Sequence, residues 1–181
     1  MNITKRSRDI IAFWFAQTPP EKRFAKDPQL DKEITRHFRA CYETMVADPE
    51  PWLAQVQSCF AAIIVLDQFA RNMFRGDKQS FVADPVALRM AQLMIEKGWI
   101  DDLPEDQRNF VLLPFMHSED ASIHTWALPY FERYSNAPTM KAEHDHKAIV
   151  DRFGRYPHRN AVLGRTSSDE ETAFLKENPG F

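Results

Sequence analysis

Apolar residues recur along this chain at intervals of three and four, and almost nowhere in strict alternation. That is the period of a helix face rather than of a strand. Asp27-Pro28 reads as an N-cap and first helical residue, followed by Leu30, Ile34, Phe38, Cys41, Tyr42 and Met45 at helical spacing. Asp84-Pro85 repeats the device before Val86, Leu88, Met90, Leu93 and Met94, and Gly98 offers the stop. Pro104 starts a further helix. Ser118, with Glu119 and Asp120 behind it, reads as an N-cap with two acids in the first turn. A helix from about Thr139 is expected to end at Gly154. Ser167 and Ser168, each with a glutamate three residues on, offer alternative capping boxes for a last helix carrying Phe174 and Leu175.

The stretch CFAAIIVLDQFARNMF, residues 59–74, carries two apolar stripes. Ala62, Leu66, Phe69 and Met73 form one; Phe60, Ile63 and Ile64 form the other. A helix apolar on nearly every side belongs in the centre of the fold. Asp67 and Arg71 continue the second stripe, four residues apart, so a buried ion pair is expected between them.

Composition narrows the class. The 181 residues suit a single domain over 1–181, and only five glycines with few β-branched alternations leave little material for a sheet. The expectation is all-α: a helical superhelix or an array of antiparallel helix pairs, with about seven to nine helices. Cys41 and Cys59 lie in apolar-periodic stretches without paired spacing, which fits a reducing compartment rather than a disulfide framework. The opening MNITKRSRDIIAFWFA has too short an apolar run for a secretory leader, and no run approaches the ~20 residues of a membrane span. A cytoplasmic location follows as the expectation. The net charge of −3 speaks against bulk nucleic-acid or membrane binding and leaves room for a local basic pocket.

Four stretches then stand out: LDQFARNMFRG (66–76), LPFMHSED (113–120), HKAIVDRFGRYPHRNAVLGR (146–165) and EETAFL (170–175). Together with FWF near the start, they resemble the bacterial domain-of-unknown-function family 924. The resemblance implies an all-helical superhelix related to tetratricopeptide-like domains and a shared polar cluster, without an established reaction. Asp67, Gln68, Arg71, Asn72, His117, Ser118, Glu119, Arg152, Arg155, His158, Arg159 and Asn160 match the family pattern, and Tyr156 stands where the family often has Phe.

Residues 152–165 hold four arginines, one histidine and no acid. Six arginines in the motif blocks (71, 75, 152, 155, 159, 165) are set against four obvious partner acids (Asp67, Glu119, Asp120, Asp151), leaving two guanidinium groups for a carboxylate or phosphate. Arg152 is expected to be structural, with Asp151, Glu119 or Asp120 as partner. Arg155 and Arg159 are expected to converge with His117, His158 and Arg71 on one pocket. Asp67, Gln68, Arg71, Asn72, Arg75, Glu119, Arg155, Arg159 and Asn160 are the candidate binding residues. His158, beside two arginines, is expected to be neutral, whereas Glu119 should push His117 towards protonation; such an opposed pair is what acid–base chemistry uses. In a hydrolytic or transfer reaction His158 would be the base, Arg155 and Arg159 would hold the anion, and Asn160 would orient it.

No cofactor motif is present, and metal spacing is poor. His117 and His124 would lie about 10 Å apart along a helix, and His144 and His146 face different sides. Two function classes remain: a small-molecule site, enzymatic or not, for an anionic ligand, and a tetratricopeptide-like scaffold for a protein or peptide partner in which the polar motifs are clamps. Neither involves nucleic acid or a membrane.

Overall fold

The computed structural model describes residues 2–178; Met1 and the last three positions of the expected 1–181 domain lie outside the described residues. It is an all-helical array, without strand among the described residues. Helix α1 runs Ile3–Ala12 and widens into a π turn over Phe13–Gln17. Helix α2 spans Pro28–Ala47. Helix α3 covers 56–73, made of Val56–Ile63, a π segment Ile64–Phe69 and Ala70–Met73. Then come α4 (Asp84–Glu96), α5 (Glu105–Met116), α6 (Ala121–Tyr134), α7 (Ala137–Phe153) and α8 (Asp169–Glu177). Single 3-10 turns occupy several of the connections.

Local chemistry explains most of the boundaries. The Asp27 side chain accepts from the backbone N–H groups of Gln29 and Leu30, and the six apolar positions named for α2 are all buried. Gly154, at φ +67°, ends α7 in the left-handed region. Ser168, not Ser167, makes the capping box of α8 with Glu171.

Three starts differ from expectation. The cap of α6 is Asp120, whose carboxylate accepts from Ser122 N–H, while the Ser118 hydroxyl accepts from Asp120 N–H one turn earlier. A carboxylate is the stronger acceptor and takes the cap. Helix α7 begins at Ala137 behind Asn136, whose side chain accepts from Thr139 N–H. Asp84 lies inside α4 and caps nothing, because its carboxylate is turned to two arginines.

Helix α3 is the centre. Residues 58–66 are all buried, and α1, α2, α4 and α5 pack around 56–73. The buried face of α4 is Ala87, Met90, Ala91, Met94 and Ile95, with Val86, Leu88 and Leu93 only partly covered. The small alanines allow close approach of α4 to α3, which keeps the larger side chains off the seam. The Cys59 thiol reaches the Met90 carbonyl across that contact, and burial pushes it up to about 12. Both cysteines are buried and free. Among the described residues no helix is long and apolar enough to cross a membrane.

A candidate anion site between three motif segments

The site begins in the π segment of α3. An extra residue per turn widens the helix locally, and such segments recur at functional positions. Here the segment holds Asp67 and Gln68, both buried. The Gln68 amide donates to Asp67 Oδ2 at 2.5 Å, and Arg71 Nη1 lies 3.3 Å from Asp67 Oδ1 and donates to the Asp67 carbonyl at 2.7 Å. The expected pair is present, with Asp67 buried and Arg71 partly exposed. Arg71 also forks onto Asp84, with both nitrogens 3.1 Å from its two oxygens. Burial opposes the charge on Arg71, but Asp67 and Asp84 more than offset it and hold the guanidinium firmly protonated. Burial likewise opposes ionisation of Asp67, and Arg71 and His117 override it, placing its carboxyl below the usual range. At Asp84 burial wins, and its carboxyl is raised.

His117, at the end of α5, donates from Nδ1 to Asp67 Oδ1 at 2.6 Å. Its pKa is lowered, first by burial and then by Arg71, against the pull of Asp67. This reverses the expected direction. Glu119 was to charge His117, yet its oxygens go to Arg165 at 2.7 and 3.0 Å and to the Tyr156 N–H at 2.8 Å. A neutral His117 with its proton on Nδ1 keeps a basic Nε2 on the ring edge away from Asp67.

Arg159 closes the other side. Its guanidinium lies 4.6 Å from the ring centres of both Phe81 and Tyr156. It donates to the His117 carbonyl at 3.0 Å, but its nearest carboxylate, Asp84, is 3.6 Å away and already forked by Arg71. Its Nε is buried with no hydrogen-bond partner among the described residues. Burial, and then Arg71, lower its pKa. Tyr156 is a rigid platform because its hydroxyl donates to the Met116 carbonyl beside the buried His124–Glu143 pair, itself closed at 2.7 Å.

A cavity of about 400 Å³ opens here. Its walls are Arg71, Arg75 and Arg159, three histidines (117, 146, 158), and Gly76, Ser80 and Phe81. Among the described residues no carboxylate lines it: Asp67 and Asp84 sit behind the guanidinium groups, and Asp31 holds Arg75 at 2.8 and 2.9 Å and accepts from Asn72 at 2.8 Å. His158 is pushed down to about 4, first by burial and then by Arg159, in line with the expected neutrality. His146 is also pushed to about 4 by burial, against a hydrogen bond to the Ala142 carbonyl. Among the described residues no three or more His, Cys, Asp or Glu side chains are grouped to hold a metal ion.

The remaining motif residues lie elsewhere. Arg155 does not join the cavity. It forks onto Glu171 at 2.7 and 2.8 Å and donates to the Thr166 carbonyl. Asn160 is on the same clamp, donating to Ser167 and Glu171, so it orients nothing in the cavity. Glu171 is thereby lowered to about 2, chiefly by the Arg155 hydrogen bond. Arg152 is structural as expected, but its partner is Glu170 at 2.7 Å, while Asp151 pairs with Lys147. Four acids beyond Asp67, Glu119, Asp120 and Asp151 each take a motif arginine: Asp84 takes Arg71, Asp31 takes Arg75, Glu170 takes Arg152 and Glu171 takes Arg155. What survives the fuller count is a single under-compensated guanidinium, that of Arg159.

Asp84 is the site residue missed in the sequence. The pair Asp-Pro fits a helix cap equally well, and nothing in its neighbours marks a counter-ion for residues 71 and 159. His146 also lines the cavity, and its spacing to His144 says nothing about what α7 faces.

The comparisons agree with this architecture. The family model described as bacterial protein of unknown function (DUF924) matches residues 10–179. The solved structure of a protein of unknown function from Agrobacterium tumefaciens is similar at 34% identity and a TM-score of 0.91, over 98% of this chain and 100% of that one. No curated protein matches. With its motif blocks, its helical array and a family model covering nearly its whole length, this chain belongs to the DUF924 family of bacterial proteins.

Proposed function

We propose that the cavity walled by Arg71, Arg75 and Arg159 binds a small anionic molecule, with the Asp67–His117 dyad beside it as a source of acid–base chemistry. The observation that carries this is Arg159. A nearly buried guanidinium whose closest carboxylate is 3.6 Å away and shared has unmet charge, and it stands in the wall of a cavity without acids. A carboxylate or phosphate supplies what it lacks, in the geometry an arginine prefers. His117, held in one tautomer by Asp67, can take a proton from a bound group, and His158 supplies a second neutral imidazole. In this reading His117 replaces His158 as the principal base, because the buried Asp67 carboxylate orients its ring.

The test is a thermal-shift and calorimetric panel of small carboxylates and phosphomonoesters. Wild type should be stabilised by at least one class, and Arg159→Gln should lose the effect. Because Arg159 is buried, Arg75→Gln at a more exposed wall position is the second variant, and Arg152→Gln, on the distant clamp, should behave as wild type. Silence of wild type to both classes would remove the reading.

The scaffold reading draws on a different observation. Arg152, Arg155 and Arg165 find carboxylate partners inside the chain in Glu170, Glu171 and Glu119, and Asn160 donates to Ser167 and Glu171, as clamps joining residues 152–165 to α8 and to the HSED turn. A tetratricopeptide-like scaffold with clamps accounts for these residues. It leaves Arg159 unexplained.

A further inference from the structure

Resting on the anion-site reading, we infer that the ligand is amphiphilic: its anionic head sits in the arginine–histidine cavity and a compact apolar body lies in the adjoining groove. That groove, of about 440 Å³, shares Arg71, Arg75, His117 and His146 with the cavity, so the two adjoin along those four side chains. Its further walls are mostly apolar, including Phe24, Leu113, Met116 and Ala142, with Arg23, Gln68, Asn72 and Thr139 as the polar members. The amides on that side are already committed, Gln68 to Asp67 and Asn72 to Asp31. A polar or multiply charged body would therefore find few donors there.

Phe24 supplies a second, independent observation. It is the most exposed large hydrophobic side chain among the described residues, at 73%. Its neighbour Arg23 fixes the loop by donating to the carbonyls of Trp14, Phe15 and Thr18, and its ring stacks on Phe110 at 5.9 Å and 9°. An aromatic ring held in the open at the edge of an apolar groove, one wall away from a cationic cavity, complements a ligand with both characters. The groove volume falls in the range of about 300–1,000 Å³ that takes small molecules. It suits an aryl ring or a short acyl chain rather than a long lipid.

The experiment is titration calorimetry on the full chain with two matched pairs: inorganic phosphate against phenyl phosphate, and acetate against 3-phenylpropionate. One pair should show the aryl member binding at least about tenfold more tightly, the gain for burying a ring, and which pair does so identifies the head group. Phe24→Ala, at an exposed position, and Thr139→Trp, which fills the groove, should each erase most of that gain. Both should leave the small anion within about twofold of wild type. Equal affinities within each pair, with the small anion still bound, would overturn the amphiphile and leave the anion site standing. Absence of binding by all four compounds would overturn the anion site itself. A tenfold gain that persists in both groove variants would place the ring elsewhere and overturn the inference.

Discussion

His117 Nδ1 and Asp67 Oδ1 are 2.6 Å apart, and the pair joins a neutral ring to a charged carboxylate. Burial lowers the imidazole, and Arg71 lowers both groups, so the proton stays on Nδ1 while Asp67 remains ionised. The carboxylate thus has three duties: orienting the ring, balancing Arg71 and accepting from Gln68.

Removing that carboxylate should be expensive. Asp67→Ala would leave Arg71 with Asp84 alone and the His117 ring without an orienting partner. The expected loss is about 3–5 kcal/mol in urea unfolding, as for other broken buried pairs. A loss below ~1 kcal/mol would mean that Asp84 alone balances Arg71.

The histidines of the cavity should resist protonation. His158 and His146 are pushed to about 4, so unfolded imidazoles take up protons near pH 6.5 while the folded ones do not. Their contribution to stability is full above that pH and falls as the pH drops towards 4. Imidazole titration by NMR should give midpoints well below 6.5 for both rings. Bound phosphate should raise that of His158, since a nearby anion favours the charged form.

At the clamp the acid limb lies lower. Glu171 is held at about 2 by Arg155, below its ordinary value near 4.5. The stabilisation is present above 4.5 and is lost as the pH falls towards 2. Glu171→Gln should lower stability at pH 7 and flatten the acid dependence below pH 4.5, as read from unfolding midpoints across that range.

Gly154 offers a clean backbone test. At φ +67° an added Cβ meets nothing within 4 Å, so only conformational strain is introduced. Gly154→Ala should cost about 1–2 kcal/mol, and Gly154→Asn less, because asparagine tolerates the left-handed region. Chemical denaturation of the two variants gives the ordering directly.

The sequence by itself determined the helices. Periodicity placed α2 and put the central helix at 59–74, where the structure has 56–73; Asp27-Pro28 marked the start of α2, Gly154 marked the end of α7, and the i,i+4 spacing of Asp67 and Arg71 foretold their pairing. These are local properties, set by the 3.6-residue turn and by capping within a few positions. The partners of the arginines were a different matter. Arg155 and Arg159 are four residues apart in one motif, yet one meets Glu171 on α8 and the other lies between Phe81 and Tyr156 beside Asp84. An ion pair depends on which side chains lie within about 4 Å, and Asp84, Asp31 and Glu171 are 75, 44 and 16 residues from the arginines they face. Only the packing of α2, α4 and α8 against the rest brings those carboxylates in, satisfying Arg155 and leaving Arg159 in the cavity wall with charge to spare.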